Sequence, residues 1–196
     1  MESAIFGLIG VVVGSALTLA REWWFQRRKE KKDADYLAIQ VVYQLERYIV
    51  GCAEVVGDDG LCEGQPDQDG YSRIQVQAPK FDPDALKVEW KSLPTDLLYE
   101  VFDLPRQAEA AQQKVNHAFD YSDPPDYCDG FEERQYEYAS LGVAASQLVT
   151  RLRQHANLPG SYYGSWNPVA FMQEQQARIH ERRVGRRARQ SSTGLF

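Results

Sequence analysis

An uncharged, proline-free run at residues 4–20, AIFGLIGVVVGSALTLA, with a basic strip directly behind it, constrains this chain more than any other feature. As a helix rising ~1.5 Å per residue it reaches roughly 26 Å, the short end of what a hydrocarbon core of about 30 Å requires. The run is apolar on every side, which suits lipid better than one face of a soluble bundle. Trp23, Trp24 and Phe25 extend the apolar surface by a turn. Tryptophan is at home in the interfacial belt, and Arg21 sits where its head can snorkel to phosphate. The expected anchor is therefore 1–25, followed by a juxtamembrane segment at 26–33.

The flanks set the orientation. A cleavable signal peptide carries its positive residues ahead of the apolar run. Here Glu2 precedes it, and Arg21, Arg27, Arg28, Lys29, Lys31 and Lys32 follow, opposed by Glu22 and Glu30. Lysine and arginine stay cytoplasmic, so the pattern predicts a signal-anchor in the cell (inner) membrane, N-terminus out and the remainder in the cytoplasm. Cys52, Cys62 and Cys128 are odd in number and widely spaced, which suits reduced thiols. Ser3, Gly7, Gly10 and Gly14 fall on one face of the run, and Gly10 and Gly14 form a GxxxG pair. Small residues let membrane helices approach closely, so this face predicts a homo-oligomer or a partner membrane protein. The competing account is that glycine is common in such helices.

No Pro or Gly occurs between Ser15 and Val50, so one helix can run from the membrane to about Val56. Ala38, Val41, Leu45, Tyr48, Cys52 and Val55 step by three and four, a core-facing stripe. Gly57 to Gly60, Gly-Asp-Asp-Gly, stops it. Residues 58–80 read as a long irregular loop. Asp82-Pro83 predicts a helix ending near Pro94, Thr95 and Asp96 cap a short one, and Pro105 opens another. A long helix is expected over 131–156, with His155 partly buried on its stripe, and Asn167-Pro168 starts the last. Strand signals are nearly absent. The fold expected is all-α: the membrane helix continues into an antiparallel helix bundle over 34–160, and 161–196 holds an aromatic loop, a helix and a tail.

The formal charge of −6 hides a segregation. Residues 178–189 hold Arg178, Arg182, Arg183, Arg186, Arg187 and Arg189 against a single Glu, while 33–177 is strongly acidic. The acidic middle argues against nucleic acid on the main surface of the bundle. Arginine favours bidentate contact with phosphate or carboxylate, so the tail predicts anionic-surface binding, lipid headgroups ahead of nucleic acid. The plainer alternative is a solvated helix end whose cations complement the dipole. Tyr162, Tyr163 and Trp166 are candidate partner contacts, or fold back onto the bundle.

Catalytic patterns do not emerge. The three histidines lack ligand spacing, Asp67 to Gly70 fails the calcium-loop pattern at its first and twelfth positions, and Asp120, Asp123, Asp126 and Asp129 read as turn residues around Cys128. No phosphate loop, nucleophile elbow or zinc motif is present, and no cofactor or metal is expected. The reading is a membrane-anchored cytoplasmic helical module that scaffolds or regulates partners. A tethered nucleic-acid or phosphate-ligand binder is the alternative, and an enzyme with a site assembled across helices ranks third.

Overall fold

In the computed structural model the backbone is described for residues 2–193, and side chains for 14, 15 and 17–189. Among the described residues four α-helices make the fold: α1 (Glu2–Gly57), α2 (Thr95–Asp120), α3 (Cys128–His155) and α4 (Pro168–Thr193). No strand occurs among the described residues; a single bridge joins Cys62 and Gln65. The expected all-α bundle is therefore present.

The helix α3 is central, packing on α1, α2 and α4, while α1 also touches α4. The stripe Ala38, Val41, Leu45, Tyr48, Cys52 and Val55 is buried, joined by Leu37, Ile49 and Val56. From α3, Tyr138, Leu141, Ala145, Leu148 and Leu152 meet it. Each fully buried Leu, Ile or Val contributes ~1.5–3 kcal/mol. Arg134 of α3 meets Asp58 beyond the end of α1, and Arg153 meets Glu46, so α1 and α3 run antiparallel. Arg151 reaches Asp96 near the start of α2, and Arg183 of α4 reaches Glu132 near the start of α3, so both neighbours also oppose α3. At Gly142 α3 comes close to both α4 and α1: a Cβ there would stand 2.3 Å from the Met172 sulfur and 3.0 Å from Cys52 Cβ.

Several sequence expectations needed correction. The helix expected from Asp82 is two short 3-10 turns, Pro83–Ala85 and Trp90–Ser92. Asp82 does cap the first, accepting from the amides of Asp84 and Ala85. Leu86, Val88 and Trp90, all packed on the core, recur every second residue, which an extended chain presents to one side and a helix does not. The two helices expected at 95 and 105 are a single one, α2, with Pro105 inside it and Pro94, not Thr95, at its cap. A proline inside a helix costs ~3 kcal/mol. Burying Leu97, Val101 and Leu104 on the continuous face around it outweighs that cost. His155 is exposed, not partly buried, because the stripe ends at Leu152 and the buried Ala156 takes the next core position.

The helix α1 leaves the bundle at Ala34. Every described side chain from Gly14 to Lys32 is exposed. Among the described residues no helix is long and apolar enough to cross a membrane. The side chains of residues 1–13, which supply most of the apolar run and include Ser3, Gly7 and Gly10, lie outside them. Gly14, the last member of the small-residue face, has open space beside it.

Candidate functional site: the stem of α1 and the arginine face of α4

The stem carries an ordered collar. Arg27 lies 4.0 Å from the Trp23 ring centre, Arg28 lies 4.2 Å from Trp24, and Arg21 lies 5.4 Å from Phe25. Each pair is four residues apart, the spacing at which helix side chains meet. A guanidinium over an aromatic face at an exposed site contributes ~0.5–1 kcal/mol. The three aromatic rings and their cations thus share one arc of the helix surface, and Trp23, Trp24 and Phe25 each remain more than half exposed. Below the collar, Lys29 and Gln26 face Glu89 and Lys91 across a polar groove. Lys31 and Lys32 are exposed.

The arginine face lies at the other end. Arg183 Nη2 contacts Glu133 at 2.7 Å and its Nε contacts Glu132 at 3.1 Å, with the guanidinium 4.6 Å from the Tyr136 ring centre. Arg186 spans Asp129, at 3.0 Å, and Glu132. Arg182 stands 3.8 Å from Glu132, and Arg178 pairs with Glu174 one turn back. Arg187 and Arg189 are engaged as well. Partial burial works against the charge of Arg183, yet Glu132 and Glu133 hold it more firmly protonated than usual. Beyond Ile179, fully buried, the described residues of α4 bury no apolar side chain, and Val184 is exposed. Ion pairs therefore hold this stretch of α4 on α3.

The ion-pair clasp of Arg182, Arg183 and Arg186 on Asp129, Glu132 and Glu133 was not expected from the sequence. Its signal was the acidic set Asp129, Glu132 and Glu133 in the first turns of one helix, with an arginine run late in the next. Antiparallel neighbours place those segments side by side. The same topology puts the arginine face near the Gly57 end of α1, about 37 Å of helix beyond Lys32.

The aromatic loop divides. Tyr163 folds toward α1, and burial pushes its phenol upward in pKa. Tyr162 is 90% exposed, and Trp166 leans on Phe171 at 6.0 Å. Tyr162 and Tyr163 border an open groove with Tyr43, Arg47 and Glu54 of α1.

The remaining sequence candidates take structural places. Asp67 accepts from the amides of Asp69 and Tyr71 and from Arg73 Nε, closing a turn. Asp126 accepts from the Cys128 amide in the turn before α3. Among the described residues no group of three or more His, Cys, Asp or Glu is placed to hold a metal. No family model matches the chain, and no curated protein or solved structure was found to be similar to it.

Proposed function

We propose that this chain is a single-pass, membrane-anchored protein whose helix bundle faces the cytoplasm and acts by binding partners, as a scaffold or regulator. The observation that carries the reading is the stem. One uninterrupted helix joins the apolar run to the bundle core, and its described part stands exposed, apolar residues included. Leu17 and Leu19 are each 67% exposed with no protein surface to cover them. A bilayer supplies that cover, and the Trp–Arg collar falls where the headgroups begin. The N-terminus lies outside and the basic strip inside, by the distribution of lysine and arginine. Self-association through the Gly10–Gly14 face belongs to the same proposal.

Reversible contact of the arginine tail with an anionic surface takes a more specific form. The arginine face stands at the end of the bundle far from the stem, so the surface it meets is that of a second membrane or a partner and not the anchor's own bilayer, and Arg178, Arg182, Arg183 and Arg186 must each exchange a carboxylate for an anionic group on it. An exposed ion pair is worth ~0–1 kcal/mol and a basic residue at an anionic surface ~1 kcal/mol, so the exchange is close to balanced. Contact of this kind is weak and falls as salt rises.

The test is fractionation of cells expressing the full chain. The protein should stay with membranes through an alkaline carbonate wash, and deletion of residues 2–20 should release it. In sealed spheroplasts an impermeant maleimide should reach the exposed Cys62 only after the membrane is opened. Full-length protein recovered in the wash sinks the anchor, and labelling of intact spheroplasts sinks the orientation.

A further inference from the structure

Three large apolar side chains stand on the outer surface of α1 within the bundle: Tyr36, Ile39 and Tyr43, each close to half exposed or more. They recur at i, i+3 and i+7, so they share one face, opposite the buried Leu37, Val41, Leu45 and Tyr48. Single exposed apolar residues are ordinary, whereas a run of them along one helix face marks a contact surface.

That face continues into the stem. The helix is uninterrupted, and at about 100° per residue Phe25 lies five turns before Tyr43 and Gly14 eight turns before it, on the same side within roughly 20°. Gly14 has open space beside it. The small-residue face of the apolar run and the aromatic face of the bundle are therefore one surface, about 50 Å long from Gly14 to Val50.

The edges of this surface complement each other. On an ideal helix Glu22 and Arg47 fall along one edge, and Arg21 and Glu46 along the other. A two-fold axis parallel to the helix sets the first edge of one copy against the second edge of another. Glu22 then meets the partner's Arg21, and Arg47 meets the partner's Glu46. Arg47 is exposed, and Glu46 gives one oxygen to Arg153 while its side chain stays 27% exposed. Lys32, on the midline, stands between Asp33 on one edge and Asp35 on the other. Arg28 and Lys29 set like charge against like, but they sit at the collar, where lipid phosphate can face them. Beyond Val50 the midline reaches Glu54, which opposes itself and bounds the contact.

We propose that the protein is a parallel dimer in which α1 of one copy packs along α1 of a second, from Gly14 through Tyr43 to Val50. Its parallel sense rests on the anchored reading, because two copies in one bilayer share an orientation. The dimer extends self-association from the membrane helix into the bundle. The apolar midline supplies the affinity, and the charged edges fix the register.

The experiment is thiol scanning of the full chain in native membranes. Cys62→Ser and Cys128→Ser remove the exposed native thiols, and the buried Cys52 stays in place. A two-fold seam brings each midline residue against itself, so mild oxidation should link Tyr36→Cys and Tyr43→Cys into dimers. Arg27→Cys, on the far side of the stem, and Tyr99→Cys, on α2, should stay unlinked. Adding Arg47→Glu to Tyr43→Cys sets like charge against Glu46 twice per dimer. Pairing, followed as the membranes are diluted with added lipid, should then weaken about fivefold. All these positions are exposed, so circular dichroism should report an unchanged bundle. No link at either tyrosine position, equal linking at the two control positions, or pairing indifferent to Arg47→Glu overturns the proposal. Linked chains released by the carbonate wash sink the anchor and keep the pair. Unlinked chains retained through the wash sink the pair and keep the anchor.

Discussion

Replacing Asp58 by Asn tests how the long irregular segment is held. One carboxylate oxygen of Asp58 accepts from Arg134 Nη1 at 2.8 Å and from the amides of Gln75 and Val76 at 3.0 Å each; the other accepts from the Gly60 amide at 3.0 Å. Arg134 also donates to the Val76 carbonyl, and Gln135 to the Asp58 carbonyl. Both charged side chains are nearly sealed, 1% exposed for Asp58 and 3% for Arg134. An asparagine offers one acceptor where there were two and places an NH₂ against a donor. It also leaves the Arg134 cation buried without its anion. Breaking a buried pair from one side costs ~3–5 kcal/mol, a large part of the ~5–15 kcal/mol that holds a domain together. At about 2–4 °C per kcal/mol for a chain of this size, Tm should fall by roughly 6–20 °C. Circular dichroism of the full chain in nanodiscs measures the melt, and hydrogen exchange reports the Gly60, Gln75 and Val76 amides. The double variant Asp58→Asn/Arg134→Met should recover part of the loss, because no buried charge is then unpaired. A loss under about 1 kcal/mol with those amides still protected would refute the view that this pair, not loop packing, secures the segment.

Three further outcomes are expected. Burial pushes the Cys52 thiol up to about 12, so alkylation of the folded protein at neutral pH should modify Cys62 and Cys128 and spare Cys52 until unfolding, as mass spectrometry would show; the hydrogen bond that the Cys128 thiol donates to the Asp126 carboxylate raises Cys128 too, so its labelling rate should keep climbing above the usual thiol range. Gly142→Ala drives a Cβ into Met172, itself fully buried, and should cost ~1–3 kcal/mol in denaturant unfolding; an unchanged midpoint would mean that Met172 swings aside freely. Glu132→Gln removes the carboxylate shared by Arg182, Arg183 and Arg186, so exchange of α4 amides beyond Ile179 should quicken while Met172 stays protected, and salt should produce the same effect in the parent protein; equal protection in both would argue that packing holds this stretch.

Acid should act on the turn at Asp67. Its hydrogen bond to Arg73, then those to the turn amides, hold its carboxyl below the usual carboxylate range. A group depressed in the folded state stabilises above its unfolded pKa, and that contribution is lost as pH falls through the folded value. Tyr71 amide protection should therefore be full near neutral pH and fade only below the ordinary carboxylate range; loss already at mildly acidic pH would contradict this.

Local periodicity was legible wherever one face stayed in register. The α1 stripe, the α3 stripe and the Asn167 cap, whose side chain accepts from the Val169 and Ala170 amides, all follow from spacing and end chemistry. The single helix across Pro105 was legible as well, since Leu97, Val101, Leu104, Ala108, Ala111 and Val115 alternate steps of four and three without a break. Pro105 by itself points to a break, and the unbroken register outweighs it. At 82–93 the reverse held: a good cap and an N-terminal proline suggested a helix, while Leu86, Val88 and Trp90 kept an extended rhythm.

What the sequence by itself determined is the long first helix, the all-α class, the acid–base segregation and the apolar run with its basic flank, because each is a property of neighbours along the chain. Only the tertiary structure decided where the charges went. Arg134 finds Asp58, 76 residues away in the chain, and the arginine run lies on Glu132 and Glu133, because burying the helix stripes sets α1, α2 and α4 antiparallel to α3 and brings distant segments level. That arrangement also carries the arginine face to the end of the bundle farthest from the stem.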